Sequence, residues 1–278
     1  FIWPKCSFAP RMEYWTKTQL LGRGNYGEVW MIVNPLDSTQ VAAVKEVPIS
    51  SNPRVNAKVQ DEVLGLCHCS HHNIIQFYGY NQGETSHRLF MEYAFPLPNM
   101  QGNCDELRRC LKHVLSGLVY LHEERGTIHR DVKGSNILLG LDNQYKLADF
   151  GSCRELWKPG EEILTDSMER RASSIAVGTP QFLPPEVARP PTEGYGRRAD
   201  IYSLGGTILE IATGKLPFQS EIERGILENR QETLIYQIRH GLRPEIDDGL
   251  DPGLRTLVEL CFRDEKDRPT AKQLLDML

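Results

Sequence analysis

The feature that most constrains the fold is a change of sequence pattern near residue 95. Before it, short runs of β-branched and aromatic residues are separated by turn residues, which predicts strands. Beyond it, apolar residues recur at helical spacing, which predicts helices. The joint is marked by the breaker residues Pro96, Pro98, Asn99 and Gly102. We therefore expect an α+β protein in which a sheet-rich part precedes a mainly helical part.

A glycine-rich run lies in the sheet-rich part, where residues 22–29 read GRGNYGEV. Glycines at this spacing let backbone amides approach phosphate groups closely. The residues that follow predict a strand rather than the helix of a dinucleotide fold, and Glu28 stands where a P-loop would need its Gly-Lys sequence. By itself, the run agrees as well with an ordinary glycine-rich hairpin as with a nucleotide site.

Lys45 lies inside the apolar run of a predicted strand, VAAVKEV at residues 41–47. A lysine in such a run needs an anionic partner. The next helix starts near Pro53 and places Glu62 in its apolar stripe with Val59. We therefore predict that Lys45 and Glu62 pair inside the protein. The alternative, in which both are solvated, agrees less well with their core-facing positions.

A loop at residues 129–136 reads HRDVKGSN, and DFG follows at residues 149–151. Asp131 and Lys133 can supply a base and a cation to one phosphate. Asn136, and Asp149 thirteen residues further on, can supply two metal-binding groups. This pattern predicts phosphoryl-transfer chemistry.

Composition argues against several other classes of protein. The net charge is −5 and there is no Lys/Arg run, so neither nucleic acid nor an anionic membrane is expected as the main partner. No apolar run has the length of a transmembrane segment or resembles a signal peptide. Seven cysteines without framework spacing favour a reduced protein in the cytoplasm. Because the sequence begins with Phe1, we interpret it as a domain excised from a longer protein.

A cluster of cysteine and histidine raises the alternative of a zinc site. Its members are Cys67, His68, Cys69, His71 and His72. A second ligand pair at zinc spacing is missing from the sequence around it. Ordinary surface and core roles are therefore the better interpretation.

The later part of the chain has one polar segment and several predicted helices. Residues 152–183 are poor in periodicity and rich in charged and hydroxyl side chains, which predicts a surface segment. Asp200 is then predicted to cap a buried helix that ends at Gly214. Further helices are predicted around residues 232–240, 254–261 and 271–278.

Together and in this order, the motifs resemble the eukaryotic protein kinase catalytic domain. The match covers residues 14–278 and includes the PPE sequence at residues 184–186 and Arg268. The resemblance implies a bilobal fold, with a small antiparallel-sheet lobe that carries one regulatory helix and a larger, mainly helical lobe. The implied boundaries are a lead-in segment at 1–13, the first lobe at 14–92, a joint at 92–104 and the second lobe at 105–278.

The resemblance also implies ATP and Mg²⁺ as cofactors and a role for each site residue. Lys45, held by Glu62, would contact the α- and β-phosphates. Asp131 would accept the proton of the substrate hydroxyl or orient that hydroxyl, and Lys133 would neutralise the transferred phosphate. Asn136 and Asp149 would hold Mg²⁺. The other implied nucleotide-binding residues are Leu21, Gly22, Arg23, Gly24, Asn25, Tyr26, Gly27, Val29, Ala43, Met91, Glu92, Ala94 and Leu138.

The implied substrate is a protein serine or threonine. Lys133 and the run Gly178, Thr179, Pro180 are typical of serine/threonine kinases. The run GYGRRADIYSLG at residues 194–205 is similar to the MEK-kinase branch and its sterile-20-like relatives. The resemblance therefore implies a MAP kinase kinase kinase whose partner is a MAP kinase kinase.

Regulation by phosphorylation is also implied. Arg130 is a cation placed to receive a phosphorylated segment. We predict that Ser173 or Ser174 is phosphorylated, by an upstream kinase or by the protein itself, and that this orders residues 152–183. Thr179 is a further regulatory candidate. An unmodified serine-rich loop is the alternative.

Two departures from the family pattern stand out. Pro184 replaces an alanine in the PPE sequence, although Glu186 is still expected to pair with Arg268. The stretch at residues 94–104 is short, and the helix that normally follows the joint and the acidic contact to ribose are expected to be missing or rebuilt. The competing hypothesis is a kinase-like scaffold that binds partner proteins without turnover.

Overall fold

The computed structural model describes residues 12–24, 27–155, 178–188 and 195–278. Within them the chain forms two units by its internal contacts. One unit runs to Pro96 and includes Leu138–Gly151, and the second comprises Leu97–Ile137 and Ser152–Leu278.

The first unit is built on a five-stranded antiparallel sheet. Its strands are β1 (Thr16–Gly24), β2 (Gly27–Asn34), β3 (Asp37–Pro48), β4 (Phe77–Gln82) and β5 (Ser86–Glu92), in the spatial order β1-β2-β3-β5-β4. Helix α1 (Pro53–Cys67) lies between β3 and β4 in sequence, and proline at its first position loses no internal hydrogen bond. The expected sheet with one helix is confirmed.

The two faces of this sheet carry different residues because side chains alternate along a strand. One face is covered by an apolar cluster of Met12, Ile32, Ala42, Val44 and Phe90. Ala43 and Lys45 point to the opposite face. Lys45 pairs with Val29 of β2 and Ala43 pairs with Met91 of β5, so these four side chains share that face.

Five short strands follow among the described residues. They are β6 (Ala94–Pro96), β7 (Thr127–Ile128), β8 (Ile137–Gly140), β9 (Tyr145–Leu147) and β10 (Arg154–Glu155). Strands β6, β8 and β9 form a three-stranded sheet, in which Ala94 pairs with Gly140. In the second unit, β7 and β10 pair antiparallel.

The second unit is mainly helical, as expected. Its helices are α2 (Cys104–Val119), α3 (Pro185–Ala188), α4 (Arg198–Thr213), α5 (Gln219–Glu223), α6 (Gln231–Arg239), α7 (Pro252–Cys261) and α8 (Ala271–Leu275). Asn103 caps α2 by accepting a hydrogen bond from the Glu106 amide. Along residues 94–104, all of which the structure describes, no helix precedes α2. Within the described residues, no helix is both long and apolar enough to cross a membrane.

Helix α4 is the buried central helix, but one prediction about its start is wrong. Gly214 ends it in the left-handed conformation, at φ 72°, as predicted. Arg197 occupies the cap position, and its side chain makes no capping hydrogen bond to the helix amides, whereas Asp200 lies within the first turn. The Asp200 carboxylate turns away from the helix amides because two loop amides compete for it, as described below.

The predicted ion pair between Glu186 and Arg268 is present in the second unit. Arg268 Nη1 lies 2.6 Å from Glu186 Oε1, and the arginine is only 1% exposed. The same guanidinium also donates to the carbonyls of Arg263 and Arg198. These neutral acceptors and the carboxylate together satisfy a buried charge that would be costly alone.

Candidate active site

Lys45, Glu62 and Asp149 form a charged cluster in the first unit. Lys45 Nζ lies 2.6 Å and 2.8 Å from the two Glu62 oxygens and 3.4 Å from Asp149 Oδ1. Glu62 is 5% exposed, so the ion pair is largely removed from water. Burial opposes the ammonium charge, but the two carboxylates outweigh it and raise the pKa of Lys45. Lys45 is therefore a fixed cation on the sheet face that also carries Val29, Ala43 and Met91.

The glycines of the GRGNYG run differ in whether packing against neighbouring atoms excludes a side chain. A Cβ on Gly27 would lie 2.0 Å from the Glu46 carbonyl oxygen, so packing within the sheet requires glycine there. A Cβ on Gly22 would meet nothing within 4 Å, and one on Gly24 only the Gly27 oxygen at 3.9 Å. Nothing in the described chain requires glycine at these two positions, and they leave room for a ligand to approach the backbone. Two other expected nucleotide contacts, Asn25 and Tyr26, lie outside the described residues.

The remaining expected nucleotide-binding residues also belong to the first unit. Leu21 and Arg23 lie on β1, Ala94 on β6 and Leu138 on β8. The Glu92 carboxylate is already engaged, because it accepts a hydrogen bond from the Gln76 amide and lies 2.9 Å from Lys146 Nζ.

Lys146 is an ionisable residue that the sequence analysis overlooked. Its side chain is 5% exposed and bridges Glu92 and Asp142. Burial opposes its charge, but hydrogen bonds to the two carboxylates outweigh burial and raise the pKa of Lys146. Its place between Tyr145 and Leu147, like that of Lys45 in an apolar run, was the available signal.

In the second unit, Asp131 is the centre of a compact hydrogen-bonded group. Its Oδ2 lies 2.7 Å from Lys133 Nζ, and its Oδ1 accepts from the Thr179 amide and hydroxyl, at 3.0 Å and 2.9 Å. Lys133 Nζ also lies 2.7 Å from Thr179 Oγ1. Asn136 Nδ2 donates to the Asp131 carbonyl at 2.8 Å and to Oδ2 at 3.0 Å. Four predicted site residues therefore converge, and Asp131 is held in one orientation.

Asp200 supports the loop from helix α4. Its carboxylate accepts from the amides of His129 at 2.8 Å and Arg130 at 2.7 Å, and from His122 Nε2 at 2.8 Å. Burial disfavours its charge, but these hydrogen bonds and the neighbouring histidines outweigh burial and lower the pKa of Asp200. Arg130 has a φ of 68°, which a non-glycine residue rarely adopts. The hydrogen bonds from the His129 and Arg130 amides to Asp200 maintain this strained turn.

The Arg130 side chain is engaged by neutral acceptors. Its guanidinium donates to the Ser152 carbonyl oxygen, to the Tyr195 hydroxyl at 3.2 Å and to the Cys153 carbonyl oxygen at 3.5 Å. A phosphate would have to compete with these contacts. The proposed phosphorylation sites, Ser173 and Ser174, lie outside the described residues.

The two residues predicted to hold Mg²⁺ each offer oxygen donors within their own unit. Asp149 offers carboxylate oxygens and Asn136 an amide oxygen, the hard ligands that Mg²⁺ prefers. The Asn136 amide nitrogen is used in hydrogen bonds to Asp131, which leaves its oxygen as the ligand atom. Around the suggested zinc cluster, Cys67 Sγ lies 3.3 Å from His68 Nδ1. Among the described residues, no three histidine, cysteine or acidic side chains converge as a metal site.

Comparisons with known proteins agree with this arrangement. The sequence pattern of the protein kinase domain matches residues 15–278. Mitogen-activated protein kinase kinase kinase 19 of Homo sapiens is 34% identical over 94% of this chain. MCK1 of Pyricularia oryzae and mitogen-activated protein kinase kinase kinase 5 of Arabidopsis thaliana are 33% and 30% identical, each over 96% of this chain. The chain spans only 20%, 18% and 37% of these three proteins, respectively.

Proposed function

This chain belongs to the protein kinase domain family, and we propose that it transfers the γ-phosphate of ATP to serine or threonine hydroxyls of a protein substrate. The observation that carries the proposal is the group formed by Asp131, Lys133 and Thr179. A carboxylate held beside a fixed cation can receive a proton while the cation offsets negative charge on a phosphate.

The transfer step needs only one base from the protein. The substrate hydroxyl oxygen forms a bond to the γ-phosphorus, and the bond from that phosphorus to the bridging oxygen breaks, so ADP leaves with the electron pair. The hydroxyl proton passes to the Asp131 carboxylate. Lys133 offsets the charge on the transferred group.

Nucleotide binding is assigned to the first unit. Lys45, fixed by Glu62, pairs with the α- and β-phosphates, and the open backbone at Gly22 and Gly24 covers the phosphates. Asp149 of the first unit and Asn136 of the second unit would hold Mg²⁺. When bound, Mg²⁺ supplies positive charge that neutralises the phosphates.

The decisive experiment measures transfer of labelled phosphate from Mg·ATP to a generic basic protein. Wild-type protein is expected to be active and Asp131→Asn to lose nearly all activity. Glu259→Ala, at an exposed position of α7, is the matched control for a removed carboxylate. Equal signal from wild type and Asp131→Asn would contradict the proposal. Tight ATP binding without transfer by any variant would support the scaffold alternative instead.

The finer assignments belong to the same proposal. The similarity to mitogen-activated protein kinase kinase kinases supports a MAP kinase kinase as the substrate and a place in a MAP kinase cascade. Activation by phosphorylation at Ser173 or Ser174 is proposed from their position before Gly178. If this is correct, Ser173→Ala combined with Ser174→Ala lowers activity, whereas unchanged activity rejects it. Free thiols at Cys104, Cys110 and Cys261 support a cytoplasmic location.

A further inference from the structure

Helix α4 contacts the catalytic loop through three side chains on one face. Asp200 accepts from the first amides of the loop, as described above. Further along the helix, the Thr207 hydroxyl donates to the Val132 carbonyl at 3.2 Å, and Glu210 Oε2 accepts from the Gly134 amide at 2.8 Å. Residues seven and ten apart fall on one broad face of a helix. Successive side chains along the helix therefore contact successive residues of the loop at 129–136, and Glu210 makes the contact nearest the end of the helix.

The Gly134 amide needs an acceptor because it opens a short helical turn. The turn, Gly134–Asn136, is a 3₁₀ helix, and the first amides of any helical segment lack internal acceptors. Lys133, at the cap position, makes no side-chain hydrogen bond to this turn. Glu210, on helix α4, accepts the hydrogen bond that a local capping residue would otherwise accept. Its carboxylate makes a stronger hydrogen bond than a neutral acceptor would.

The close approach of Glu210 requires a glycine at position 134. A Cβ on Gly134 would lie 2.8 Å from Glu210 Oε2 and 3.1 Å from its Cδ, so a larger residue would displace the carboxylate. Burial raises the pKa of Glu210, and the Gly134 amide and the Lys133 cation oppose this shift. The carboxylate is thus partly removed from water, where loss of its hydrogen bond is costly.

We propose that Glu210 is a positioning residue for phosphotransfer, which holds the turn Gly134–Asn136 so that Asn136 stays hydrogen-bonded to Asp131. It acts through the hydrogen bond that it accepts from the Gly134 amide. The inference rests on the function proposed above.

A kinetic cycle tests the role of Glu210. Glu210→Ala and Gly134→Ala each break the same hydrogen bond, so each lowers kcat about tenfold and leaves the KM for ATP unchanged. The double variant loses no more than either single variant, because the bond is already absent. Glu210→Gln keeps an acceptor oxygen and stays within about threefold of wild type, and Glu259→Ala is unchanged.

Amide hydrogen exchange gives a readout that does not depend on activity. The Gly134 amide is expected to exchange at least about tenfold faster in Glu210→Ala than in wild type, and to remain protected in Glu210→Gln and Glu259→Ala. Equal protection in wild type and Glu210→Ala, or fully additive kinetic effects, would overturn the role of Glu210. Lack of phosphotransfer by wild-type protein would instead overturn the proposed function.

Discussion

Gly27 packs against the carbonyl oxygen of Glu46 so closely that an added Cβ would lie 2.0 Å from that oxygen. The contact joins β2 to β3 at the point where their register pairs Glu28 with Glu46. For Gly22, in the same glycine-rich run, no described residue lies within 4 Å of the Cβ position. Packing of the sheet therefore requires glycine at position 27. At position 22 the space beside the backbone is open to a ligand.

This difference predicts opposite phenotypes for two alanine substitutions. Gly27→Ala lowers the free energy of unfolding by about 1–3 kcal/mol, because the backbone of β3 must move. Gly22→Ala changes it by less than about 0.5 kcal/mol but raises the KM for ATP. Urea denaturation and ATP kinetics on both variants are the measurements. A stability loss in Gly22→Ala as large as in Gly27→Ala would contradict this prediction.

The Thr179 hydroxyl is expected to contribute to the rate because it donates to Asp131 and accepts from Lys133. Thr179→Val keeps the side-chain shape but removes both contacts, and kcat is expected to fall about tenfold. Thr179→Ser keeps the hydroxyl and is expected to remain near wild type. The check is steady-state phosphotransfer at saturating ATP. A loss in Thr179→Ser with full activity in Thr179→Val would show that the methyl group, not the hydroxyl, matters.

The pair of Lys45 and Glu62 is expected to behave as one unit in stability measurements. Lys45→Met leaves a nearly buried carboxylate, and Glu62→Leu leaves a mostly buried ammonium, so each lowers the free energy of unfolding by about 3 kcal/mol. The double variant is expected to lose less than the sum, because no unpaired charge remains. Urea denaturation of the four proteins measures the coupling. Strict additivity would mean that the two residues do not stabilise each other.

His87 is expected to make stability depend on pH. Its Nδ1 lies 2.7 Å from the Tyr80 hydroxyl, and its Nε2 lies 3.4 Å from Asn56 Oδ1. Asn56 donates its Nδ2 to the Ser50 carbonyl, so its oxygen faces His87 and the neutral ring donates through Nε2. Burial lowers the pKa of His87 in the folded protein.

The sign of the pH effect follows from this lowered pKa. Below the unfolded pKa of about 6.5 the unfolded chain binds a proton that folded His87 resists. Its contribution to stability is therefore complete above that pH and declines as the pH falls towards the folded pKa. His87→Gln is expected to lose less stability than wild type between pH 7.5 and pH 5. Parallel urea denaturation curves at the two pH values, with equal losses for both proteins, would refute this.

Local patterns were enough to predict much of the fold. The end of α4 at Gly214 was predicted correctly because a glycine stop depends on the residue itself and its immediate neighbours. The pairing of Lys45 with Glu62 could be predicted from the sequence for a related reason. Each charge interrupts an apolar periodicity, and a buried charge requires a partner.

Asp200 shows where such patterns stop being informative. An aspartate at the start of an apolar helix predicts a cap. Here its carboxylate instead accepts hydrogen bonds from the His129 and Arg130 amides, 71 and 70 residues away. The loop amides and the helix amides compete as donors to this carboxylate, and the outcome is decided by which amide lies closer in three dimensions. No local propensity encodes that distance.

The sequence by itself determined the order of the strands and helices, the kinase motifs and the family, because these depend on residue type and on spacing along the chain. Only the tertiary structure decided that Gly27 is required by Glu46 and that Gly134 is required by Glu210. It also placed the Thr179 hydroxyl between Asp131 and Lys133. Contacts of this kind join residues that are distant in sequence, and their geometry is set by how whole elements pack.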